Sequence, residues 1–411
     1  MAPKFKAPRG TFDVLPEQAA QRERLIRAAR EIFGRSGYRG IITPNFEDTA
    51  LFERGVGKST DIVRKEMFTF EDKGGRSLTL RPEGTASICR AYVEHGMHKL
   101  PQPVKLAYQG PFFRHERPQA GRYRQFNQIG AEAIGSDSPL ADVEVITLLS
   151  DLVEEMGVPG VELRIGSLGS LEARAAYLEE LKSHLRSRSE ELSDDVRERI
   201  EINPLRAFDS DHPGTKGVMA DAPHLLDHLD EADTEHFAEV KQLLGAASVE
   251  YVIDPTLVRG LDYYTRTIFS FVCDQLGSQS EIGGGGRYDG LIAQLGGPDT
   301  PAVGWAAGIE RILLALDEPV DVPGADLFIA VEAPDQRARA VALASELRHH
   351  GIAVEIDLAG RSMKGQLKHA DRLNVNYTLT LKEGGEARLR TMATNDLRDV
   401  QPSEVLKLIR P

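Results

Sequence analysis

The feature that most constrains this fold is the large number of short strand-like segments relative to helices. Strand patterns greatly outnumber the helical segments that could cross between them, and they lie near residues 66–70, 77–81, 104–109, 249–253 and 266–273. Parallel strands need such crossovers, whereas antiparallel neighbours need only a turn. The pattern therefore predicts an α+β domain built on a mostly antiparallel sheet with flanking helices.

The helical pattern is clearest over residues 17–36, where Leu25, Ile26, Ala29 and Phe33 recur at the spacing of one helix face. Four further elements are predicted: a short strand from Gly40 that ends at Pro44, helices over 84–96 and 139–156, a strand, loop and returning strand over 109–135, and a strand running into a helix over 301–316. The glycine run 283–286 is read as a turn after the strand at 266–273, followed by a helix near 287–295.

Composition shifts divide the chain further. Residues 170–240 carry 18 acidic and 8 basic side chains and few β-branched ones, which predicts a helical insertion over 170–245. Prolines and a glycine at 317–326 indicate a linker, and the β-α-β-α order after it predicts a small α/β domain with a mixed sheet. The chain is therefore predicted to contain a catalytic domain in two segments, residues 1–169 and 246–320, separated by the insertion 170–245 and followed by a C-terminal domain over 326–411.

The overall charge and the cysteines exclude some classes of protein. A net charge of −13 excludes a uniformly basic nucleic-acid-binding surface but allows a local one. Two distant cysteines, Cys89 and Cys273, exclude a disulfide framework and a cysteine-rich zinc site. No apolar run is long enough for a membrane span or a signal peptide, so we expect a cytoplasmic protein without a membrane partner.

Three motifs invite assignments that their surroundings do not support. A P-loop at Gly55–Thr60 would need a glycine where Phe52 stands. His95 and His98 lie three residues apart on a helix but lack a third ligand at a supporting spacing, so no metal site is predicted. The glycine run at 283–286 is not a dinucleotide-binding motif; it is either a tight turn or backbone that closely approaches a ligand or a neighbouring strand.

The segment that carries chemistry is an arginine-rich hairpin. Arg114, Glu116 and Arg117 precede a turn at Gly121, and Arg122, Arg124 and Phe126 follow it. Several guanidiniums on facing strands can bind one polyphosphate, and an aromatic ring can stack on a base. The alternative is a salt-bridged surface hairpin. Three other segments combine charged and hydroxyl groups with glycine, namely Leu80–Thr85, Val258–Thr265 and Gly304–Arg311.

Together these segments resemble the class II aminoacyl-tRNA synthetases. Arg114-His-Glu116 is similar to their motif 2, Gly308-Ile-Glu310-Arg311 to their motif 3, and the long helix ending in a strand at Pro44 to their dimer-forming motif 1. Leu80-Arg-Pro-Glu-Gly-Thr85, Arg259-Gly-Leu-Asp-Tyr-Tyr264 and Gly285-Gly-Arg-Tyr-Asp289 resemble segments peculiar to the histidyl-tRNA synthetase family. The resemblance covers nearly the whole chain. It implies a six- to seven-stranded antiparallel sheet and a homodimer, which the apolar face of helix 17–36 also favours.

The resemblance also implies a reaction and a set of site residues. ATP would activate L-histidine to histidyl-adenylate, and histidine tRNA would then take the histidine on its 3′ ribose, with Mg²⁺ on the β- and γ-phosphates. Arg114 and Arg259 are the implied catalytic residues, one on each side of the α-phosphate. The implied ATP contacts are Arg114, Glu116, Arg122, Phe126 and Arg311, and no metal is bound by protein side chains.

The implied histidine pocket has two regions. Glu83, Thr85 and Gln128 would hold the α-amino group and neighbouring atoms, and Gly84, Arg114 and Arg259 are further implied histidine contacts. Glu132 and Tyr264 would bind the two imidazole nitrogens, and Tyr263 would line the pocket.

For tRNA, Gln119 and Arg124 would contact the acceptor end, and the C-terminal domain would read the anticodon. The RNA-binding face of this domain is predicted at Arg361, Lys364, Lys368 and Arg372. The alternative, given equal weight, is that these side chains form a solvated helix face.

Two rival functions fit some of the same pattern. The regulatory subunit of ATP phosphoribosyltransferase resembles this catalytic core and senses histidine without catalysis, but it typically lacks the C-terminal domain and loses catalytic arginines. An amide-forming class II ligase is the other rival, and the Arg259–Tyr264 segment speaks against it.

Overall fold

The computed structural model describes residues 5–57, 59–316 and 324–410, and the chain as described divides into two compact units, Met1–Pro319 and Val320–Pro411. Most of the predicted linker 317–326 lies outside the described residues. The strands of the first unit are β1 Arg39–Gly40, β2 Phe46–Asp48, β3 Phe68–Glu71, β4 Ser77–Leu80, β5 Val104–Phe113, β6 Gln125–Ile134, β7 Val161–Ser167, β8 Val252–Ile253, β9 Thr265–Cys273, β10 Glu281–Arg287 and β11 Ala302–Gly308. Its helices are α1 Pro16–Arg35, α2 Thr49–Gly55, α3 Thr85–Glu94, α4 Pro139–Met156, α5 Leu171–Ser187, α6 Asp194–Arg199, α7 Pro213–Met219, α8 Glu231–Ala246, α9 Leu291–Gln294 and α10 Ile309–Ala315.

One large sheet dominates the first unit. Within the described residues it has eight strands in the order β1-β5-β6-β11-β10-β9-β7-β8. Its inner pairings are antiparallel, and the edge pairings β1–β5 and β7–β8 are parallel. The predicted antiparallel α+β fold is thus confirmed, with one strand more than expected. The strand β7 was not predicted, and the strand expected up to Pro44 is limited to the two residues of β1. A second sheet has the order β2-β4-β3.

The long first helix is confirmed almost to the residue as α1, but its apolar face is not free. Leu25, Ile26, Ala29 and Phe33 are all buried in the main hydrophobic core of the first unit, together with the buried face of α4. Residues buried inside one chain cannot also form the surface between two chains. The inference of a dimer from this helix face is therefore wrong, although the resemblance to motif 1 is unaffected.

The glycine run is a strand, not the turn that was predicted. Residues 283–286 belong to β10, which lies between β9 and β11. A Cβ atom on Gly285 would lie 1.9 Å from the carbonyl oxygen of Gly304, and one on Gly284 would lie 2.6 Å from that of Phe269. Close approach by neighbouring strands therefore excludes side chains here, which was the alternative interpretation of the run. The helix expected after it is reduced to the short α9.

The acidic segment is helical, as predicted, and both of its ends belong to the core fold. Helix α5 begins directly after β7, with Ser170 as its N-cap. Helix α8 packs on α4, and its Phe237, Val240 and Leu244 belong to the same hydrophobic cluster. Helix α8 ends at Ala246, next to the predicted boundary, but packs on α4 in the main core. The boundary at residue 245 between the insertion and the second catalytic segment therefore remains a prediction.

The second unit has the mixed sheet that was predicted. Its elements are β12 Leu327–Val331, α11 Arg337–His349, β13 Val354–Ile356, α12 Met363–Arg372, β14 Tyr377–Leu381, β15 Ala387–Thr391, β16 Leu397–Val400 and α13 Val405–Ile409. In the order β13-β12-β14-β15-β16 the first three strands are parallel, and the last two add antiparallel. No helix among the described residues is both long and apolar enough to cross a membrane.

Candidate active site

A cavity of about 670 Å³ opens on the large sheet of the first unit. Residues of β6, β10 and β11 line it, together with the loops 61–66, 83–85, 114–123, 206–211 and 258–264. Twelve of the predicted site residues lie on its described lining: Glu83, Gly84, Thr85, Arg114, Glu116, Arg122, Phe126, Gln128, Arg259, Tyr263, Tyr264 and Arg311. The structure thus brings together groups from four separate sequence segments. Glu132, Gln119 and Arg124 lie outside the lining.

The arginine hairpin is formed by β5 and β6, which pair over ten residues each. Beyond the paired ends, Arg114 Nε donates to the carbonyl of Pro82 at 2.9 Å, and its guanidinium lies 5.3 Å from the centre of the Phe126 ring. Glu116 lies between two arginines, with Arg114 Nη1 at 3.7 Å and Arg122 Nε at 3.3 Å. These three side chains together carry one net positive charge, beside the aromatic ring of Phe126.

The hairpin tip contacts the helix that follows β11. Arg311, in the first turn of α10, donates from Nε to the carbonyl of Gly121 at 3.1 Å and from Nη1 to the carbonyl of Glu281 at 2.7 Å. Burial lowers the pKa of Arg311, and the carboxylate of Glu281 opposes that shift. Gly121 has a φ of 72°, which suits the turn at the hairpin tip.

Arg259 reaches the cavity from the loop between β8 and β9. Its Nη1 donates to Glu281 Oε2 at 2.7 Å, and its guanidinium lies 5.8 Å from the centre of the Tyr264 ring. Its buried Nε has no hydrogen-bond partner among the described residues. Burial lowers its pKa most, but the carboxylate of Glu281 and the phenols of Tyr264 and Tyr263 together raise the pKa by more, so the side chain stays charged. Glu281 was missed by sequence reasoning, because nothing in its neighbourhood marks it as the partner of an arginine.

The carboxylate of Glu83 caps the helix α3. Its two oxygens accept hydrogen bonds from the backbone N–H groups of Thr85 at 2.7 Å and Ala86 at 2.9 Å. Burial raises its pKa, and those two N–H groups counteract the rise. Because each carboxylate oxygen has a second lone pair, Glu83 can cap the helix and still accept a hydrogen bond from a ligand in the cavity.

Glu132 lies behind the cavity wall rather than on it. It is fully buried on β6, where Oε1 accepts from the hydroxyl of Thr85 at 2.8 Å and Oε2 from the hydroxyl of Tyr288 at 2.6 Å. Burial raises the pKa of Glu132 to about 8, although both hydroxyls oppose this. Tyr288 lies in the segment Gly285–Asp289, where no sequence signal marks it as a partner of Glu132. Its ring lies 5.7 Å from that of Tyr263, which in turn lies 4.6 Å from Tyr264.

Besides Arg259 Nε and Glu116 Oε2, two more cavity-lining polar atoms are buried and have no hydrogen-bond partner among the described residues. They are Oε1 of Gln128, which was predicted, and the hydroxyl of Tyr108, which was not. Unpaired buried polar atoms are costly, so a ligand that pairs them is stabilised. Tyr108 lies in an apolar stretch of β5, and its sequence neighbours carry no functional signal.

The two predicted tRNA contacts lie at the base and the tip of the hairpin loop. Gln119 forms a small bridge with Arg122 through mutual backbone hydrogen bonds of 3.1 and 2.9 Å. Arg124 packs on Gly10, whose carbonyl accepts its backbone N–H at 2.7 Å. In the second unit, Lys364, Lys368 and Arg372 are exposed on α12, whereas Arg361 precedes that helix and is paired with Asp357 at 2.6 Å.

An antiparallel sheet that carries an arginine hairpin at one side of a cavity, and a glycine-opened helix with Arg311 at the other, defines the class II aminoacyl-tRNA synthetase fold. The family profile described as histidyl-tRNA synthetase matches residues 10–312, and one described as anticodon binding domain matches residues 326–411. The chain belongs to the histidyl-tRNA synthetase family.

Individual relatives agree with the family profile. The chain is 46% identical over 420 residues to the histidine–tRNA ligase of Rubrobacter xylanophilus, covering 98% of this chain and 99% of that protein. It is 49% identical over 383 residues to that of Desulfitobacterium hafniense, covering 92% and 90%. The crystal structure of apo histidyl-tRNA synthetase from S. aureus matches with a TM-score of 0.83 and 36% identity, over 99% of this chain and 100% of that one. A Bacillus halodurans protein described as an ATP phosphoribosyltransferase regulatory subunit/histidyl-tRNA synthetase shares the fold at 24% identity and a TM-score of 0.68.

Proposed function

We propose that this chain is a histidine–tRNA ligase, which activates L-histidine with ATP and transfers it to the 3′ end of histidine tRNA. One observation carries the proposal beyond the family assignment: Arg114, Arg259 and Arg311 come from three distant segments and line one cavity. A protein that only sensed histidine would have no use for three converging cations. Adenylate formation, by contrast, passes through a highly anionic centre.

In the first step, an oxygen of the histidine carboxylate attacks the α-phosphorus of ATP, and pyrophosphate leaves. Such a transfer needs positioning and positive charge more than covalent help. Arg114 and Arg259 would hold the α-phosphate, and Arg259 has an unpaired N–H to offer. Phe126 would stack on adenine and Glu116 would bind its edge. Arg311 would cover the other adenine face and reach the γ-phosphate, and Arg122 would bind the polyphosphate.

Histidine would lie against Glu83, Thr85 and Gln128 through its cationic amine. The unpaired Oε1 of Gln128 is a suitable acceptor, and the hydroxyl of Tyr108 adds one more polar group. Tyr264 would bind one imidazole nitrogen, with Tyr263 beside it. Glu132 would bind the other nitrogen through a remaining lone pair of its carboxylate, beside the hydrogen bonds from Thr85 and Tyr288.

Binding of both imidazole nitrogens supplies the selectivity. A competitor without a ring nitrogen leaves a buried polar group unpaired, which discriminates by roughly 10⁴–10⁵. No editing domain is then needed.

Mg²⁺ would arrive bound to the β- and γ-phosphates of ATP and would neutralise part of their charge. The described residues contain no group of three His, Cys, Asp or Glu side chains placed to hold a metal. The cavity carboxylates Glu116 and Glu281 are engaged with arginines. Mg²⁺ commonly keeps several waters and takes few protein ligands at phosphate sites, so this set of side chains fits a metal carried by the nucleotide.

The second unit would read the anticodon, with the exposed cations of α12 on its RNA face, and Gln119 and Arg124 would contact the acceptor end. We also propose a homodimer in the cytoplasm. Since the apolar face of α1 is buried, the dimer would use exposed apolar groups of the first unit such as Ile42, Phe46 and Phe70, of which the last two have ring centres 6.2 Å apart. Cys89 and Cys273 are both buried and unpaired, which suits a reducing compartment.

One assay tests the activity against its rivals. We expect ATP–pyrophosphate exchange that depends on histidine and on no other of the twenty amino acids. A histidine-sensing paralogue would bind histidine without exchange, and an amide-forming ligase would exchange with a different acid. Either result would contradict the proposal.

A further inference from the structure

The loop that carries Arg259 and Tyr264 is a thin wall between two cavities. On its far side lies a second cavity of about 240 Å³. Val258, Arg259 and Leu261 line both cavities. The side chains of Tyr263 and Tyr264 are buried in a hydrophobic cluster, whereas Val258, Arg259 and Leu261 have space on both sides. Hydrogen bonds also fix the position of this loop, and two of them come from the helical insertion.

The shorter of these two bonds comes from Arg174, in the first turn of α5. Its Nη2 donates to the carbonyl of Tyr264 at 2.7 Å, and its Nε donates to the carbonyl of Leu168 at 3.0 Å. Arg174 is only 7% exposed. Both of its hydrogen bonds among the described residues go to backbone carbonyls rather than to a carboxylate.

A buried guanidinium without a directly bonded carboxylate is costly. Burial lowers the pKa of Arg174 to about 10, opposed by the more distant charges of Asp262 and Asp233. A neutral side chain would fill this space at lower cost, so the arginine must be useful for what it holds. It holds the turn at the start of α5 to the peptide of Tyr264, where the loop re-enters the sheet at β9.

A second insertion residue supports the same loop. Asn203 Nδ2 donates to Asp262 Oδ1 at 2.9 Å, and the other oxygen of Asp262 accepts from the hydroxyl of Ser59. The backbone N–H of Asp262 donates to the carbonyl of Val56 at 3.2 Å. The insertion and the loop around residue 57 therefore hold the segment at Asp262, while Arg174 holds it at Tyr264.

We infer that Arg174 is a positioning residue for amino-acid recognition: by holding the Tyr264 carbonyl, it sets where the Tyr264 phenol stands in the cavity. This rests on the proposed function only in taking histidine as the ligand of Tyr264. The insertion thereby becomes a component of the amino-acid site, although none of the groups that it contributes here touches the amino acid.

The test measures equilibrium binding of histidine and of ATP separately, on full-length protein. Arg174→Met should weaken histidine binding about tenfold or more, as expected for loss of a charged hydrogen-bond donor, while ATP binding changes less than about twofold. Arg174→Lys should recover some of the loss, because an ammonium keeps the charge but reaches fewer acceptors. The matched control is Arg186→Met on the same helix, where an exposed ion pair with Glu201 is lost; it should change neither affinity.

A double-mutant cycle separates positioning from general support. If Arg174 acts through Tyr264, then Arg174→Lys should cost much less in a Tyr264→Phe background than in the wild type. Full additivity, or an equal loss of ATP affinity, would overturn the inference. If Arg174→Met does not fold, Arg174→Lys still tests the inference. Asn203→Ala, which removes the second support of the loop, should weaken histidine binding by a smaller factor than Arg174→Met. Failure of the proposed function would look different: histidine would bind to the wild type without supporting pyrophosphate exchange.

Discussion

Arg259 already has one anionic partner and one unused donor before any substrate binds. Its Nη1 is paired with Glu281 and its Nε is buried and unpaired. The side chain is thus held in place at the cost of an unsatisfied group, and a phosphate oxygen can relieve that cost. An interaction that strengthens as negative charge grows on the α-phosphate lowers the barrier rather than tightening ground-state binding.

Substitution of Arg259 should therefore affect rate more than affinity. Arg259→Ala should slow histidine-dependent pyrophosphate exchange by 10²-fold or more, roughly 2.7 kcal/mol, while the KM values for ATP and histidine change little. Arg259→Lys should recover only part of the rate, because lysine keeps the positive charge but lacks the planar fork of the guanidinium. Transfer from pre-formed histidyl-adenylate is the internal control and should suffer much less. A raised KM for ATP with an unchanged maximal rate would show that Arg259 binds substrate uniformly.

The buried carboxyl of Glu132 should make the stability of the fold depend on pH. Burial raises its pKa from the usual 4.5 to about 8 in the folded protein. The folded state thus binds this proton more tightly than the unfolded state, so the contribution of Glu132 to stability is complete below pH 4.5 and is lost as the pH rises through 8. Glu132→Gln cannot titrate. The Tm of the variant minus that of the wild type should therefore increase from pH 5 to pH 9, and a constant difference would contradict the raised pKa.

The same substitution tests the role of Glu132 in the pocket. Glu132→Gln keeps the shape but changes the acceptor that Thr85 and Tyr288 share, so histidine binding should weaken by about 1.5–3 kcal/mol. ATP binding, measured in parallel, should stay the same. Equal weakening of both ligands would mean that Glu132 supports the sheet and not the pocket.

At the scale of elements, sequence patterns were reliable where one rule governs a segment. Helices α1 and α4 were predicted within a residue or two because their burial follows the helical period. The hairpin β5–β6 was predicted because a glycine turn separates two strand patterns. Its residues Arg114, Arg122 and Phe126 do line the cavity, and their roles toward a ligand remain predictions. Strand β10 was misread because its glycines are required by the neighbouring strands, which are distant in sequence. Glu281, Tyr108 and Tyr288 escaped for the same reason: their partners come from other segments.

The glycines of β10 give a prediction at this scale. In Gly285→Ala, the new methyl group would lie 1.9 Å from the Gly304 carbonyl and 2.7 Å from the Trp305 Cα, and backbone cannot move aside as a flexible side chain can. The central sheet should be destabilised by more than about 3 kcal/mol, at the severe end for single substitutions.

The control is Gly245→Ala in α8, where nothing lies within 4 Å of the new methyl group. That change should be neutral or stabilise by up to about 1 kcal/mol. Thermal unfolding of both variants decides the question, and a folded Gly285→Ala protein of wild-type Tm would mean that β10 is packed more loosely than described.

At the scale of the whole chain, the two units have separate hydrophobic cores. The main core of the first unit gathers residues between Leu25 and Ala315, whereas the clusters of the second unit run from Leu327 to Val405 within the described residues. Each unit buries its own apolar groups, so each should fold when the other is removed. This separation makes the division of labour between the units testable by truncation.

Removal of residues 322–411 should leave a folded protein with the complete cavity. All of the residues proposed to bind histidine and ATP belong to the first unit, so histidine-dependent pyrophosphate exchange should stay close to that of the full chain. Charging of histidine tRNA should fall sharply, since the proposed anticodon contacts are gone, and the loss should appear mainly as a raised KM for tRNA. The truncated protein should also sediment as a dimer, because the apolar groups proposed for the dimer interface lie in the first unit. Normal charging would refute the anticodon role, and a monomeric product would place the dimer interface in the second unit.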